Sequence, residues 1–237
     1  PNQELAGQLG FSVDNIVVVG PDKPWHRGHL QPDLPTLTPS HALYVVFTPG
    51  STGTPKGAIN THRGFCTAIT HQQKALGFTK SSRVFDFASY AFDASWCNLL
   101  HALTSGACLC VPSNAERQND LVGSLGKYNA TTVDFTPSVA RVVGKEALSK
   151  LSTLILGGEA VADSDAFLTE EKTEIINVYG PAECTPTVTL SKVSPNDISI
   201  GRGAGACTWI VDPEKPDQLS RFGAIGELWI EGPLVGE

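Results

Sequence analysis

Residues 48–57, Thr-Pro-Gly-Ser-Thr-Gly-Thr-Pro-Lys-Gly, have the make-up of a loop that holds phosphate. Gly50 and Gly53 let the backbone approach an anion closely. Ser51, Thr52 and Thr54 supply hydroxyl donors, and Lys56 supplies a point charge. The apolar run before the loop, Ala42-Leu43-Tyr44-Val45-Val46-Phe47, is rich in β-formers and predicts a buried strand feeding it. The usual nucleotide loop has glycine directly before its lysine and a magnesium-binding hydroxyl directly after. Here Pro55 precedes Lys56 and Gly57 follows it, so a metal ligand has to come from elsewhere in the chain. A Ser/Gly surface loop without a ligand has the same composition, and only the order and spacing of other segments separate the two.

Those other segments agree. The pattern at 48–57 resembles the phosphate-loop signature of the adenylate-forming enzymes, which include acyl-CoA synthetases, luciferases and the adenylation domains of nonribosomal peptide synthetases. Phe92-Asp93-Ala94-Ser95 is similar to the FDxS element of amino-acid-activating adenylation domains. Asn177-Val178-Tyr179-Gly180-Pro181-Ala182-Glu183 is similar to their NxYGPTE element, and Gly226-Glu227-Leu228-Trp229-Ile230-Glu231-Gly232-Pro233 to GELxIxGP. Leu156-Gly157-Gly158-Glu159-Ala160 and Ile200-Gly201-Arg202 fit the pattern in between. The resemblance runs from about Ser40 to Glu237, and Trp209-Ile210-Val211-Asp212-Pro213 gives it a fungal style.

The resemblance implies a ligase that joins an amino acid to AMP using ATP and Mg²⁺. The aminoacyl group would then pass to phosphopantetheine on a neighbouring carrier domain, beside condensation domains of the same synthetase. It assigns Thr48, Gly50, Ser51, Thr52, Gly53 and Lys56 to the phosphates, and Tyr179 to stacking on adenine. Asn177, Gly180 and the Gly158-Glu159-Ala160 backbone would complete the nucleotide site, with Glu183 holding Mg²⁺ at the α-phosphate. Lys56 and Glu183 are thus the expected catalytic pair. Adenylation brings two anions together, so such a site needs donors and positive charge more than a protein nucleophile.

For the amino acid, Asp93 is expected to pair with the α-ammonium and Phe92 to line the way in for the carboxylate. A buried carboxylate is costly unless paired, although Asp93 at a helix start has capping as an alternative task. By position, the side-chain pocket is Ala94, Cys97, Asp134, Ile155, Gly157, Val178, Pro186 and Thr187. An inward Asp134 would favour a basic or strongly hydrogen-bonding substrate side chain, and an outward one would say nothing. Two positions depart from the family pattern. Ala182 replaces a threonine and loses one hydroxyl contact, and Pro49 replaces a serine and stiffens the loop. Two other readings stay open: an acyl- or aryl-CoA ligase, and a nucleotide-binding remnant without catalysis.

Composition narrows the classes further. At 237 residues with 41% hydrophobic and 17% charged, the chain can bury a substantial core. A net charge of −7 argues against a nucleic-acid partner. No apolar run approaches the ~20 residues that span a bilayer, and no signal-peptide pattern opens the chain, so no membrane partner is expected. Six cysteines without a C-x-x-C pair predict free thiols in a reducing, cytoplasmic compartment, and no histidine pattern calls for zinc. The chain starts at Pro1, has no methionine and stops five residues after Gly232. It is therefore expected to be a piece of a longer polypeptide, lacking the small C-terminal domain and inactive alone.

The elements expected to position these residues alternate. Strands are predicted at Asn15–Val19, Leu43–Phe47, Val84–Phe87, Ala107–Val111, Thr132–Phe135, Leu154–Leu156 and Ile175–Val178. Helices are predicted at Thr61–Leu76, Asp93–Leu103, Asn119–Tyr128, Pro137–Val143 and Ser164–Glu171. This alternation predicts an α/β core with mostly parallel strands flanked by helices. Strands at Thr187–Leu190, Trp209–Val211 and Leu228–Ile230 then suggest a division into an α/β part, 1–186, and a β-rich subdomain, 187–237.

Overall fold

The computed structural model describes residues 35–48, 53–162, 165, 172–194 and 197–237. The predicted strand at Asn15–Val19 and helix at Ser164–Glu171 fall outside the described residues, apart from Asp165. The chain divides into two units at Leu37/Thr38, and everything below concerns the second.

That unit opens with two antiparallel strands, β1 (Ala42–Thr48) and β2 (Lys56–Thr61), in which Val45 faces Ile59 and Thr48 faces Lys56. The strand before the phosphate loop stands where expected but is buried on one face only, Tyr44 and Val46 being buried and Val45 and Phe47 exposed. A second strand, which the sequence pattern does not predict, precedes the helix. Lys56-Gly57-Ala58 has neither β-branching nor apolar alternation, so local propensity gave no signal for β2. Thr61 ends β2 and caps helix α1 (His62–Gln72), its hydroxyl accepting from the Gly64 N–H at 3.2 Å. This helix stops four residues short of the expected Leu76, and Gly77 lies beyond it at φ 76°.

The main sheet follows from β3 (Arg83–Phe85), β4 (Cys108–Cys110), β5 (Thr132–Phe135), β6 (Thr153–Leu156) and β7 (Glu174–Tyr179). They lie in the order β4-β3-β5-β6-β7, all parallel, and β8 (Thr189–Lys192) and β9 (Arg202–Gly203) extend the sheet antiparallel. Helix α2 (Asp93–Ser105) connects β3 to β4, and Gly106 ends it in the left-handed region at φ 73°. Two short helices, α3 (Asn114–Asn119) and α4 (Leu121–Lys127), connect β4 to β5. The sequence pattern predicts only the second, as Asn119–Tyr128. Asp120 separates the two with a non-helical backbone (φ −148°, ψ 59°) and caps the second helix through the Gly123 N–H. Ser113 and Glu116 form a reciprocal cap on the first.

Side chains alternate across the strands and fill two cores. Phe85, Val133, Phe135, Leu154, Leu156 and Ile175 pack with Leu125 of α4 and with Ala140 and Val143 of α5 (Pro137–Val143). Val84, Ile155 and Ile176 face the other way, against Leu76, Phe78 and Ala102 of α2. Helices therefore cover both faces, as the period-2 alternation of a two-sided sheet requires. Full burial of each large apolar side chain contributes about 1.5–3 kcal/mol before the entropy cost of ordering it.

The region after Thr187 is not one β-rich unit by strand pairing. Strands β8 and β9 belong to the main sheet. A separate antiparallel sheet, β11-β10-β12, is made from β10 (Cys207–Asp212), β11 (Lys215–Leu219) and β12 (Glu227–Glu231). Residue 187 is thus not a sheet boundary.

Candidate active site

The strand order itself locates a crevice. From β3 the chain steps outward to β4 and then back across to β5, so consecutive connections leave in opposite directions between β3 and β5. At such a switch point the loops at the carboxyl ends of the strands part and leave a cleft. A cavity of about 660 Å³ lies there. Its wall includes Ser89 after β3, Arg117 of α3, Thr136 after β5, Gly157 and Gly158 after β6, and Gly180 after β7. Helix α2 closes one side with Asp93, Ala94 and Cys97, next to Phe92.

Nine of the ten residues assigned to the amino acid line this cavity: Phe92, Asp93, Ala94, Cys97, Asp134, Gly157, Val178, Pro186 and Thr187. Ile155 is the exception. It is buried in the core beneath α2 and reaches the site only as the register neighbour of Asp134. Asp93 combines its two expected tasks. Its carboxylate accepts from the Ala94 N–H at 2.9 Å, yet Phe92 is the helix cap, and the Asp93 side chain faces the cavity. Burial raises its pKa, the Ala94 N–H lowers it, and the Glu183 charge raises it again. Asp134 faces inward, and burial followed by repulsion from Asp93 lifts its pKa to about 7. Its carboxyl is half-buried by exposed area because it opens on the cavity, although protein encloses it on the other sides. Burial and the two carboxylates also push the Cys97 thiol well up.

Of the positions expected at the nucleotide, Gly158 and Gly180 line the cavity, whereas Thr48, Lys56, Tyr179 and Glu183 are not among its lining residues. Thr48 and Lys56 face each other at the open end of the β1–β2 pair, with Lys56 exposed and Gly53 in the left-handed region at φ 83°. Gly50, Ser51 and Thr52 lie outside the described residues. Tyr179 ends β7 with 40% of its surface exposed. Glu183 lies in the turn that follows and is exposed; its backbone carbonyl accepts from the Gly236 N–H at 2.7 Å, and its carboxylate has no hydrogen bond or ion pair to another described residue. Its charge reaches Asp93 and Cys184.

Two side chains at expected nucleotide positions are engaged with the protein. The Asn177 side chain is buried and its amide nitrogen donates to the Ile198 and Ser199 carbonyls, at 3.2 and 2.9 Å, so it anchors the 198–199 segment. The Glu159 carboxylate accepts from Ser138 at the start of α5, which lowers its pKa, and only its backbone is left for the nucleotide. Glycine at 180 has a steric reason, since a Cβ there would overlap the Pro186 carbonyl oxygen. Gly180→Ala must part the two cavity walls and is expected to cost about 1–3 kcal/mol. A urea midpoint equal to wild type would show that this contact is looser than it looks.

Comparison with known proteins now fits these features. The model of the AMP-binding enzyme family matches residues 6–237. The chain belongs to the AMP-binding enzyme family. Among curated relatives, the nonribosomal peptide synthetase ungA of Aspergillus violaceofuscus is 48% identical over 206 residues, covering 86% of this chain and 2% of that synthetase. Across the fungal synthetases it matches, at 46 to 50% identity, the chain spans 2 to 10% of their length. The fold is shared with PA1221, an NRPS protein containing adenylation and PCP domains (TM-score 0.74, 24% identity, 86% of this chain and 43% of that one). It is shared too with the Vibrio cholerae adenylation domain AlmE in complex with glycyl-adenosine-5'-phosphate (TM-score 0.74, 25% identity, 84% of this chain and 41% of that one). The expected α/β core of the family, mostly parallel strands flanked by helices with β-structure toward the C-terminal end, is thereby borne out, that β-structure including a separate antiparallel sheet.

For this family member, several cavity residues had no motif to announce them, and Arg117 is the clearest. Its guanidinium donates to the Phe87 and Ala88 carbonyls at 3.3 Å and to Pro112 O at 3.5 Å, and lies over the Tyr90 ring at 5.8 Å. It ties the loop after β3 to α3 across about 30 residues, a pairing that no local pattern encodes. All six cysteines are free, and among the described residues no helix is long and apolar enough to cross a membrane. No cluster of three or more acidic, cysteine or histidine side chains forms a resident metal centre among them either.

Proposed function

We propose that the chain forms part of an adenylation domain that activates an amino acid as its aminoacyl-AMP, as a step of nonribosomal peptide synthesis. The observation that carries this reading is Asp93, a carboxylate on the cavity wall with no cation pairing it among the described residues. An α-ammonium supplies that cation, whereas an aryl or fatty acid does not. The glycyl-adenosine-5'-phosphate bound by AlmE, on the same fold, supports the same chemistry.

ATP is the proposed nucleotide. The glycines at 157, 158 and 180 keep the cavity walls clear of side chains, the partly exposed Tyr179 is the proposed stacking partner, and Thr48, Gly53 and Lys56 flank the loop expected to hold phosphate. Glu183 is an unengaged carboxylate suited to hold Mg²⁺, which would offset phosphate charge as the substrate carboxylate approaches. Phosphopantetheine on a carrier domain is the proposed acceptor, in line with the adenylation and PCP pairing in PA1221. A condensation domain and a cytoplasmic location complete the proposal. The division at 186/187 stands as a proposal about sequence segments only.

The test is amino-acid-dependent exchange of pyrophosphate into ATP by the polypeptide that carries this chain. Exchange driven by amino acids is the expected result. Exchange driven only by aryl or fatty acids would favour the acyl- or aryl-CoA ligase, and none with any acid would favour the non-catalytic remnant.

A further inference from the structure

We propose that the cavity is built for an amino acid with a second cation on its side chain, held by Asp134 while Asp93 holds the α-ammonium. This rests on the amino-acid reading above and names its substrate class.

Strand alternation turns Asp134 inward. Val133 and Phe135 fill the core on the α4–α5 face, so Asp134 must project toward α2, where the cavity wall also carries Cys97 and Asp93. No hydrogen bond or ion pair from a described residue reaches its carboxylate. The charge that acts on it is Asp93, which repels it. Cys97 is held in its neutral thiol form, and the neighbours Ile155, Gly157 and Val178 carry no charge. Arg117 is the cation on the cavity wall; it donates to three backbone carbonyls and lies over the Tyr90 ring, and its charge acts on Asp86, whereas the charge acting on Asp134 is that of Asp93. Two enclosed carboxylates without a cation form an unfinished electrostatic arrangement. A substrate with one ammonium finishes half of it, and ornithine, lysine or arginine finishes both.

Protonation sharpens the prediction. A cation binds the ionised Asp134, so below about pH 7 binding must first remove a proton. The sign is therefore a gain in affinity as pH rises, with about tenfold weaker binding at pH 6 than at pH 8. Asp93 titrates in the same direction for every amino acid, so the ratio of kcat/KM for a cationic over a neutral substrate isolates Asp134.

The experiment is pyrophosphate exchange by the polypeptide carrying this chain, with ornithine, lysine and arginine against citrulline, leucine and phenylalanine, at pH 6 and pH 8. One cationic substrate should exceed every neutral one by about a hundredfold or more at pH 8, and the ratio should fall at pH 6. Asp134→Asn should abolish most of that ratio and its pH dependence, and calorimetric binding to the unmutated protein gives the pH effect without relying on the variant's folding. A preference for leucine or phenylalanine that Asp134→Ala leaves intact, or a ratio flat between pH 6 and 8, overturns the proposal while amino-acid activation stands. Exchange with no amino acid overturns both.

Discussion

Asp93→Asn should lower kcat/KM for the amino acid by about a hundredfold or more, with the KM for ATP little changed. Truncating one partner of a buried charge pair costs about 2–5 kcal/mol, because the other charge is left desolvated and alone. Here the stranded charge is the substrate ammonium, so the loss falls on amino-acid binding and on the adenylation that follows. Unfolding is not the expected cause. Burial raises the Asp93 pKa, so the ionised carboxylate costs stability at any pH above that raised value, and asparagine removes the cost. An unchanged amino-acid KM in a folded Asp93→Asn variant would reduce Asp93 to its bond with the Ala94 N–H and favour an acid without an amine.

Glu183→Gln should separate from this by hitting the other substrate. The carboxylate has no competing partner among the described residues, so its removal frees no protein group and breaks no packing. The rate of adenylate formation is expected to fall about a hundredfold, from roughly 3 kcal/mol of lost charge stabilisation, with amino-acid affinity nearly intact. Exchange at the wild-type rate across a range of Mg²⁺ concentrations would remove Glu183 from the metal site. The two variants thus pull apart what the mutual repulsion of Asp93 and Glu183 ties together.

Much of the scaffold was legible because its signals are local. Thr132–Phe135 reads as a strand, and Thr136-Pro137 then starts a helix by capping and a preset φ, and both elements stand where the residues put them. Gly106 ends α2 because left-handed backbone strains any side chain with a Cβ. Other features were illegible for an equally physical reason. The strand Lys56–Thr61 exists through its pairing with Ala42–Thr48, and its own residues carry no strand pattern. Asp120 reads as an ordinary helix residue until its backbone leaves the helix to cap the next one.

The site divides along the same line. By itself, the sequence determined which family the chain belongs to and most of the residues that line the cavity. Phosphate loops, Gly-Gly turns and the turn after Asn-Val-Tyr-Gly depend on backbone freedom over a few consecutive residues, and short strings carry that information. Tertiary structure alone decided what each side chain is free to do. Asn177 donates to carbonyls 21 and 22 residues away, Arg117 reaches a loop about 30 residues back, and Ile155 turns into the core. Asp134, one strand away from Ile155 and in register with it, is left facing the cavity without a partner. Whether a carboxylate is satisfied depends on every element packed around it, and that sum exists only once the sheet and its helices have come together.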